Sequence, residues 1–286
     1  MTRLLPLTVG QTLAGMLAML VVIYGAFLRL DAITLKYGPV TRPSWLRAIQ
    51  QTRGPESLLR PAGVTWTAVP AYLHRDGPPT RYVSDPYTYL RYAREMRSFY
   101  AAHYREPVFP FVTKVFLHLL RNQDVAVSFA SAAFSVLAIA GTLALGWYAF
   151  SWWVGCGAAL AMAIEYEIVS WSVEGLRDDA FVCAAVLSTY VMLRYARAPS
   201  KRNALLVGIT GGVACLIRIT ALSFLVPGLL FLLIATTARW RERLKGAGLA
   251  ALALTAIVSP YAINCWLTFG DPLYAINVHA DLYRTA

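Results

Sequence analysis

Seven stretches of mainly apolar residues, most of them bounded by charge, constrain this chain more than any motif does. They run over residues 9–28, 124–150, 152–173, 180–196, 204–219, 221–237 and 246–267. A helix crossing a bilayer needs roughly 20 such residues, because hydrocarbon offers no partner to the backbone and every N–H and C=O must be satisfied within the helix. The stretches at 204–219 and 221–237 are short and join at Arg218-Ile219-Thr220, which reads as a tight turn. The first stretch is longer than the apolar part of a secretory signal. It runs into Arg29 without a small-residue cleavage site, so it reads as a retained helix. Residues are 58% hydrophobic and only 14% charged, against about a quarter charged in soluble domains. The expected fold class is all-α: a polytopic transmembrane helix bundle of about seven spans, forming a single membrane domain over 1–286.

Charge gives the expected orientation. There are 26 Lys+Arg against 15 Asp+Glu, a formal +11. In a soluble protein that surplus would raise nucleic-acid binding. In a membrane chain it marks cytoplasmic anchors and contacts to anionic membrane lipids, so no nucleic-acid partner is expected. Arg194, Arg197, Lys201 and Arg202 follow the fourth stretch, and Arg239, Arg241, Arg243 and Lys245 follow the sixth. Placing both loops in the cytoplasm puts the N-terminus inside. The loop 29–123, the short connection 174–179 and the C-terminal segment 269–286 then lie outside, with 124–268 holding the remaining spans. Cys156, Cys183, Cys215 and Cys265 are widely spaced in apolar surroundings and read as core residues.

The outer loop changes character along its length. Residues 36–79 are rich in Pro, Gly, Arg and Thr without clear periodicity, and carry no assignable role. From Ser84 the pattern turns helical. Tyr89, Tyr92, Met96 and Tyr100 share one face and Arg91, Arg94 and Arg97 another, as in a helix lying in the membrane interface near 85–104. A second such helix is expected near 107–120, with Phe111, Val115, Phe116 and Leu119 on its apolar side. Asp85 before Pro86 is a favoured helix start, so capping explains both residues as well as function does, and one oxygen could serve each purpose. Glu174, Arg177, Asp178 and Asp179 form a charged knot between the third and fourth spans. It reads equally as a substrate or ion site and as a structural clasp, and the helix dipole alone would favour the two aspartates. Glu165 and Glu167 sit upstream. No GxGxxG after a strand, P-loop, HExxH or GxSxG occurs, and the four histidines are scattered. Gly208 and Gly212 would let another helix approach closely.

The order of "SDPYTYLRYAREM", "REPVFPFVTKVFLHLL", "GLRDDAFVCAAVL", "LIRITALSFLVPGLLFLL" and "PYAINCWLTFGDPLYAINVH" resembles the GT-C superfamily of membrane glycosyltransferases. These are relatives of protein O-mannosyltransferases, lipid A aminoarabinose transferases and oligosaccharyltransferases. The resemblance implies transfer of a sugar from a polyprenyl-phosphate donor to a lipid, glycan or protein acceptor on the outer face, in a bacterial inner membrane. It implies that Asp85 is the first-loop carboxylate, acting as base or orienting the acceptor in an inverting transfer. Asp178 and Asp179 match the second-loop acidic group, which binds a divalent cation in some branches and only organises polar contacts in others. Mg²⁺ or Mn²⁺ would suit such oxygen ligands. Arg177 and Arg218 would hold the lipid phosphate. Tyr89, Glu174, Arg105 and Glu106 complete the expected substrate contacts, the last two being equally able simply to pair with each other. Family members continue through further helices, so this chain is expected to be a short member, the N-terminal part of a longer protein, or the partner of a chain that supplies the acceptor site.

Two other classes compete. In a transporter or channel, Glu165, Glu167, Glu174, Asp178 and Asp179 would line a permeation path. The charges gather at one face, however, and no internal repeat is visible. A non-catalytic membrane subunit would keep Asp85 far in space from the 177–179 knot.

Overall fold

A computed structural model describes residues 9–37, 84–120, 122–235 and 239–285. Apart from its first two residues, the 36–79 stretch lies outside them. The described residues form eleven α-helices and no strand: α1 Val9–Tyr37, α2 Ser84–Glu95, α3 Val108–Leu119, α4 Ala126–Ala149, α5 Trp152–Ile164, α6 Tyr166–Glu174, α7 Asp178–Arg197, α8 Lys201–Ile217, α9 Leu222–Ala235, α10 Trp240–Phe269 and α11 Tyr274–Thr285. A single 3₁₀ turn, Ile219–Ala221, joins α8 to α9.

The all-α polytopic bundle stands. By length and apolarity, α1, α4, α7 and α10 can each cross a membrane, and α5 with α6 makes a fifth crossing if the pair counts as one span bent by 53°. The sequence led us to expect seven. The two outstanding stretches correspond to α8, of 17 residues, and α9, of 14. At 1.5 Å per residue α8 rises about 25 Å, while α9 is described as far as Ala235.

Two expected boundaries also move. Helix α1 does not stop at Leu28 but carries Arg29 inside it, because that guanidinium is fully buried and hydrogen-bonded. The third span is interrupted at Glu165, whose φ of −63° and ψ of 120° are extended. Gly175 then ends α6 in the left-handed region (φ 75°), with Leu176 N–H reaching back to Trp171 C=O. Glycine takes that conformation without the steric cost a side chain would add.

Helix α4 is the axis of the fold, packed by α1, α2, α3, α5, α6 and α7. Its buried face is largely Ala, Ser and Gly, which lets neighbouring backbones approach where no hydrophobic driving force separates helix from lipid. On the other side α8 lies against α10. A Cβ on Gly208 would stand 2.3 Å from Ala250 C=O, so the expected close approach is real.

The two helices of the outer loop are present, with different surroundings from those expected. Helix α2 ends at Glu95 rather than near 104. Beyond it the backbone carbonyls are taken by side chains: Tyr92 donates to Ala101 C=O at 2.7 Å, Asn264 to Tyr100 C=O at 2.8 Å and Tyr261 to His103 C=O at 2.5 Å. Its aromatic stripe faces protein, not lipid, with Tyr89, Tyr92 and Met96 all buried. Arg94 is clasped by Asn122 and by Asp124 at 2.7 Å instead of reaching for headgroups. Helix α3 buries Val108, Phe109, Thr113 and Leu117, leaving Phe111, Val115 and Leu119 outward.

Candidate active site

One end of the bundle gathers four short sequence elements that lie far apart in the chain. The first turn of α2 supplies Asp85. Asp85 does not cap its helix: one carboxylate oxygen pairs with Arg105 and the other accepts the Tyr89 hydroxyl at 3.2 Å. With 41% of its side chain exposed, Asp85 remains open to solvent while held from behind.

Arg105 arrives on the loop between α2 and α3. Its backbone N–H is accepted by Nδ1 of His103 at 3.0 Å, and the His103 ring stacks on Tyr92 at 3.9 Å. Burial pushes the His103 imidazole down to about 4, so the ring stays neutral and able to accept near pH 7. The Arg105 guanidinium lies over the rings of Tyr89 (5.6 Å) and Tyr104 (5.5 Å). Burial also raises the Tyr89 phenol above its ordinary value, with Asp85 adding to the rise and Arg177 opposing it. Tyr89 is therefore a hydroxyl donor to Asp85 at all ordinary pH.

Glu106, next in sequence, turns the opposite way into the bundle. One oxygen pairs with Arg177 and the other accepts Ile219 N–H at 2.8 Å, and both side chains are more than nine-tenths buried. Unpairing either member of such a buried pair costs about 3–5 kcal/mol, so it fixes three elements relative to one another. The Arg177 guanidinium also lies 5.8 Å from the Tyr89 ring centre; burial opposes its charge, Glu106 chiefly sustains it, and Asp85 adds a smaller share. Arg218, in extended backbone just before Ile219, donates to Asp178 at 2.9 Å. That pair is about one-third exposed on both sides.

Arg177, Asp178 and Asp179 thus reach in three directions from the start of α7. Arg177 meets the outer loop and Asp178 meets the α8–α9 break. Asp179 turns inward, fully buried, and accepts Ser131 at 2.9 Å and Ser172 at 2.6 Å. Asp85, Tyr89, Arg105, Glu106, Arg177, Asp178 and Arg218 form one connected cluster. Glu174 does not join it: more than half exposed, it pairs with Lys36 at 3.1 Å beside α1. Asp178 and Asp179 have separate partners, Arg218 for the first and Ser131 and Ser172 for the second. Among the described residues no three His, Cys, Asp or Glu side chains come together as a group that could hold a metal ion.

The sequence reading missed Tyr104, His103 and Tyr261, which shape the Arg105 loop, and Arg29 with its serines. A usable signal existed for the serines. Ser128, Ser131 and Ser135 recur at three- and four-residue spacing in an otherwise apolar helix, the mark of a polar stripe facing protein.

The family model described as dolichyl-phosphate-mannose-protein mannosyltransferase matches residues 104–263. The match takes in Arg105, Glu106, the 177–179 knot and Arg218, and begins downstream of Asp85. No curated protein and no solved structure matches the chain.

Proposed function

The chain belongs to the dolichyl-phosphate-mannose-protein mannosyltransferase family, of the GT-C type of membrane glycosyltransferase, and from that membership we propose that it moves a sugar from a polyprenyl-phosphate carrier to an acceptor hydroxyl with inversion. The observation that carries this reading is the half-open Asp85 carboxylate, fixed by Arg105 and Tyr89, with the Arg177 guanidinium against the same Tyr89 ring. A transferase of this kind needs a base facing solvent and cations facing a departing phosphate.

In the proposed reaction the acceptor oxygen attacks the anomeric carbon while the bond from that carbon to the phosphate oxygen breaks. The acceptor proton passes to Asp85, and the bonding pair leaves on polyprenyl phosphate. Arg218 receives the phosphate by exchanging Asp178 for it, since their pair is partly exposed and a guanidinium meets phosphate bidentately. Arg177 stays with Glu106 and contributes field rather than contact. The donor enters from the bilayer plane, and the acceptor, a lipid, glycan or protein hydroxyl, from the aqueous side. The cluster would face outward from a bacterial inner membrane, with the N-terminus and the basic loops after α7 and α9 in the cytoplasm.

The test is transfer of radiolabel from a panel of polyprenyl-phosphate sugars by the purified chain in lipid. Wild type should transfer, and Asp85→Asn should lose about 10²–10⁴-fold in rate, the range of a general base. The unfolding midpoint serves as the control for folding. Equal transfer by both proteins would remove Asp85 from the chemistry.

A further inference from the structure

Arg29 is the largest wholly buried side chain among the described residues, although it sits on α1, whose Leu13, Met16, Leu20 and Ile23 are exposed to the surroundings of the bundle. Its place is built for it. A Cβ on Gly25, one turn earlier, would stand 2.6 Å from Ile139 Cδ1, 3.2 Å from Ala163 Cβ and 3.6 Å from the Arg29 guanidinium, so glycine leaves that space without displacing Ile139. The guanidinium donates to the carbonyls of Gly25 (2.9 Å), Ala163 (3.1 Å) and Met162 (3.4 Å), the last two at the end of α5. Its Nε donates to Ser135 Oγ at 2.7 Å.

These acceptors are neutral. They satisfy hydrogen bonds and leave a whole positive charge in a low-dielectric interior, which is sustainable only with a counter-charge nearby. Asp179 supplies it. It is also fully buried, its Oδ2 accepts two serine hydroxyls, and its buried Oδ1 has no hydrogen-bond partner. The two charges meet neighbouring turns of α4: Arg29 Nε donates to Ser135, and Ser131, four residues earlier on the same helix, donates to Asp179.

We infer that Arg29 and Asp179 are one buried charge pair, linked through Ser135 and Ser131 on adjacent turns of α4, and that the pair positions Arg177 and Asp178 by anchoring the first turn of α7. Asp179 is then neither a metal ligand nor a substrate contact. It ties α7 through Ser131 to α4, through Ser172 to α6, and by its charge to Arg29, which reaches α1 and the end of α5. Arg177 and Asp178 leave that anchored turn in fixed directions, towards Glu106 and Arg218. The effect on catalysis rests on the glycosyltransferase reading, whereas the pair itself does not.

The experiment is a cycle of Arg29→Met, Asp179→Asn and the double variant in the full chain in lipid, with three readouts. Each single variant strands a buried charge and should lower the thermal midpoint by roughly 5–10 °C. The double variant strands none and should recover most of the loss. Backbone hydrogen exchange should quicken at residues 177–181 and Ile219 in the single variants and return towards wild type in the double. KM for the lipid-linked donor should rise about tenfold in Asp179→Asn and recover in the double variant. Additive loss of midpoint overturns the pair. Recovery of the midpoint with exchange at 177–181 unchanged throughout overturns the positioning role. A wild type that transfers no sugar defeats the glycosyltransferase reading, while midpoint and exchange still decide the inference.

Discussion

At the scale of single residues, Glu106 shows how burial redirects a reading made from residue type. In the sequence, Arg105-Glu106 looked like a pair, either with each other or with substrate. In the fold the two side chains diverge, Arg105 going to the half-open Asp85 and Glu106 to buried Arg177 and the Ile219 N–H. Glu106→Gln tests the second arrangement, because the amide oxygen can still accept Ile219 N–H while the Arg177 guanidinium loses its counter-charge. We expect a loss of about 3 kcal/mol, at the lower end for a broken buried pair, since Asp85 and the Tyr89 ring remain beside Arg177. Chemical unfolding in mixed micelles would measure it, and an unchanged midpoint would mean that Glu106 holds nothing. The members of the cluster were legible beforehand because ionisable residues at the edge of apolar stretches are conspicuous. Their connections were not. A carboxylate's type is written in the sequence, but the direction of Asp179 depends on which α4 serines face it, and Arg29 passed for the polar end of a span.

Five helices of this chain have carbonyls at or just beyond their ends met by cations from neighbouring elements. Arg197 donates to the carbonyls of Tyr148 and Ala149 at the end of α4, Arg243 to Leu233 and Ile234 at the end of α9, and Arg29 to Met162 and Ala163 at the end of α5. Lys36 reaches Val173 at the end of α6, and Lys114 reaches Met96 just beyond α2. The last carbonyls of a helix lack intrahelical partners and carry the negative end of its dipole, so each contact satisfies both demands. Part of the +11 charge surplus is consumed in this way, within the protein rather than on lipid. The pairing of α8 with α10 yields a prediction at the same scale. Gly208→Ala puts a methyl 2.3 Å from Ala250 C=O and 2.6 Å from Ala253 Cβ, and should cost about 1–3 kcal/mol. Gly248→Ala, in the interior of α10, meets nothing within 4 Å and should stabilise by roughly 0.5–1 kcal/mol from helix propensity alone. Thermal midpoints of opposite sign check the contrast. Apolar run length made the existence of these helices readable. The break at Glu165 was not readable, because it contains neither proline nor glycine and its freed carbonyls are met by Arg29, more than 130 residues away in sequence.

At the scale of the whole molecule, charge is divided between two ends. Helix α7 begins at the cluster and closes at Arg194 and Arg197, and its 20 residues hold those ends about 30 Å apart, the thickness of the hydrocarbon core. In the proposed orientation, with the basic loops inside, the cluster lies on the outer face, where the proposed lipid-linked donor and an aqueous acceptor would meet. The four native cysteines are all buried, so a membrane-impermeant maleimide should find little background. Arg91→Cys, at a side chain 60% exposed on α2, should label in intact, correctly oriented cells. Arg202→Cys, exposed at the start of α8, should label only after the membrane is opened. The reverse pattern would turn the protein over and move the proposed transfer to the cytoplasmic side, where soluble nucleotide-linked sugars compete as donors. Labelling of both positions from one side would place the cluster and the basic end on the same face. That result contradicts an α7 that crosses the bilayer, and with it the separation on which the donor's approach through the membrane depends.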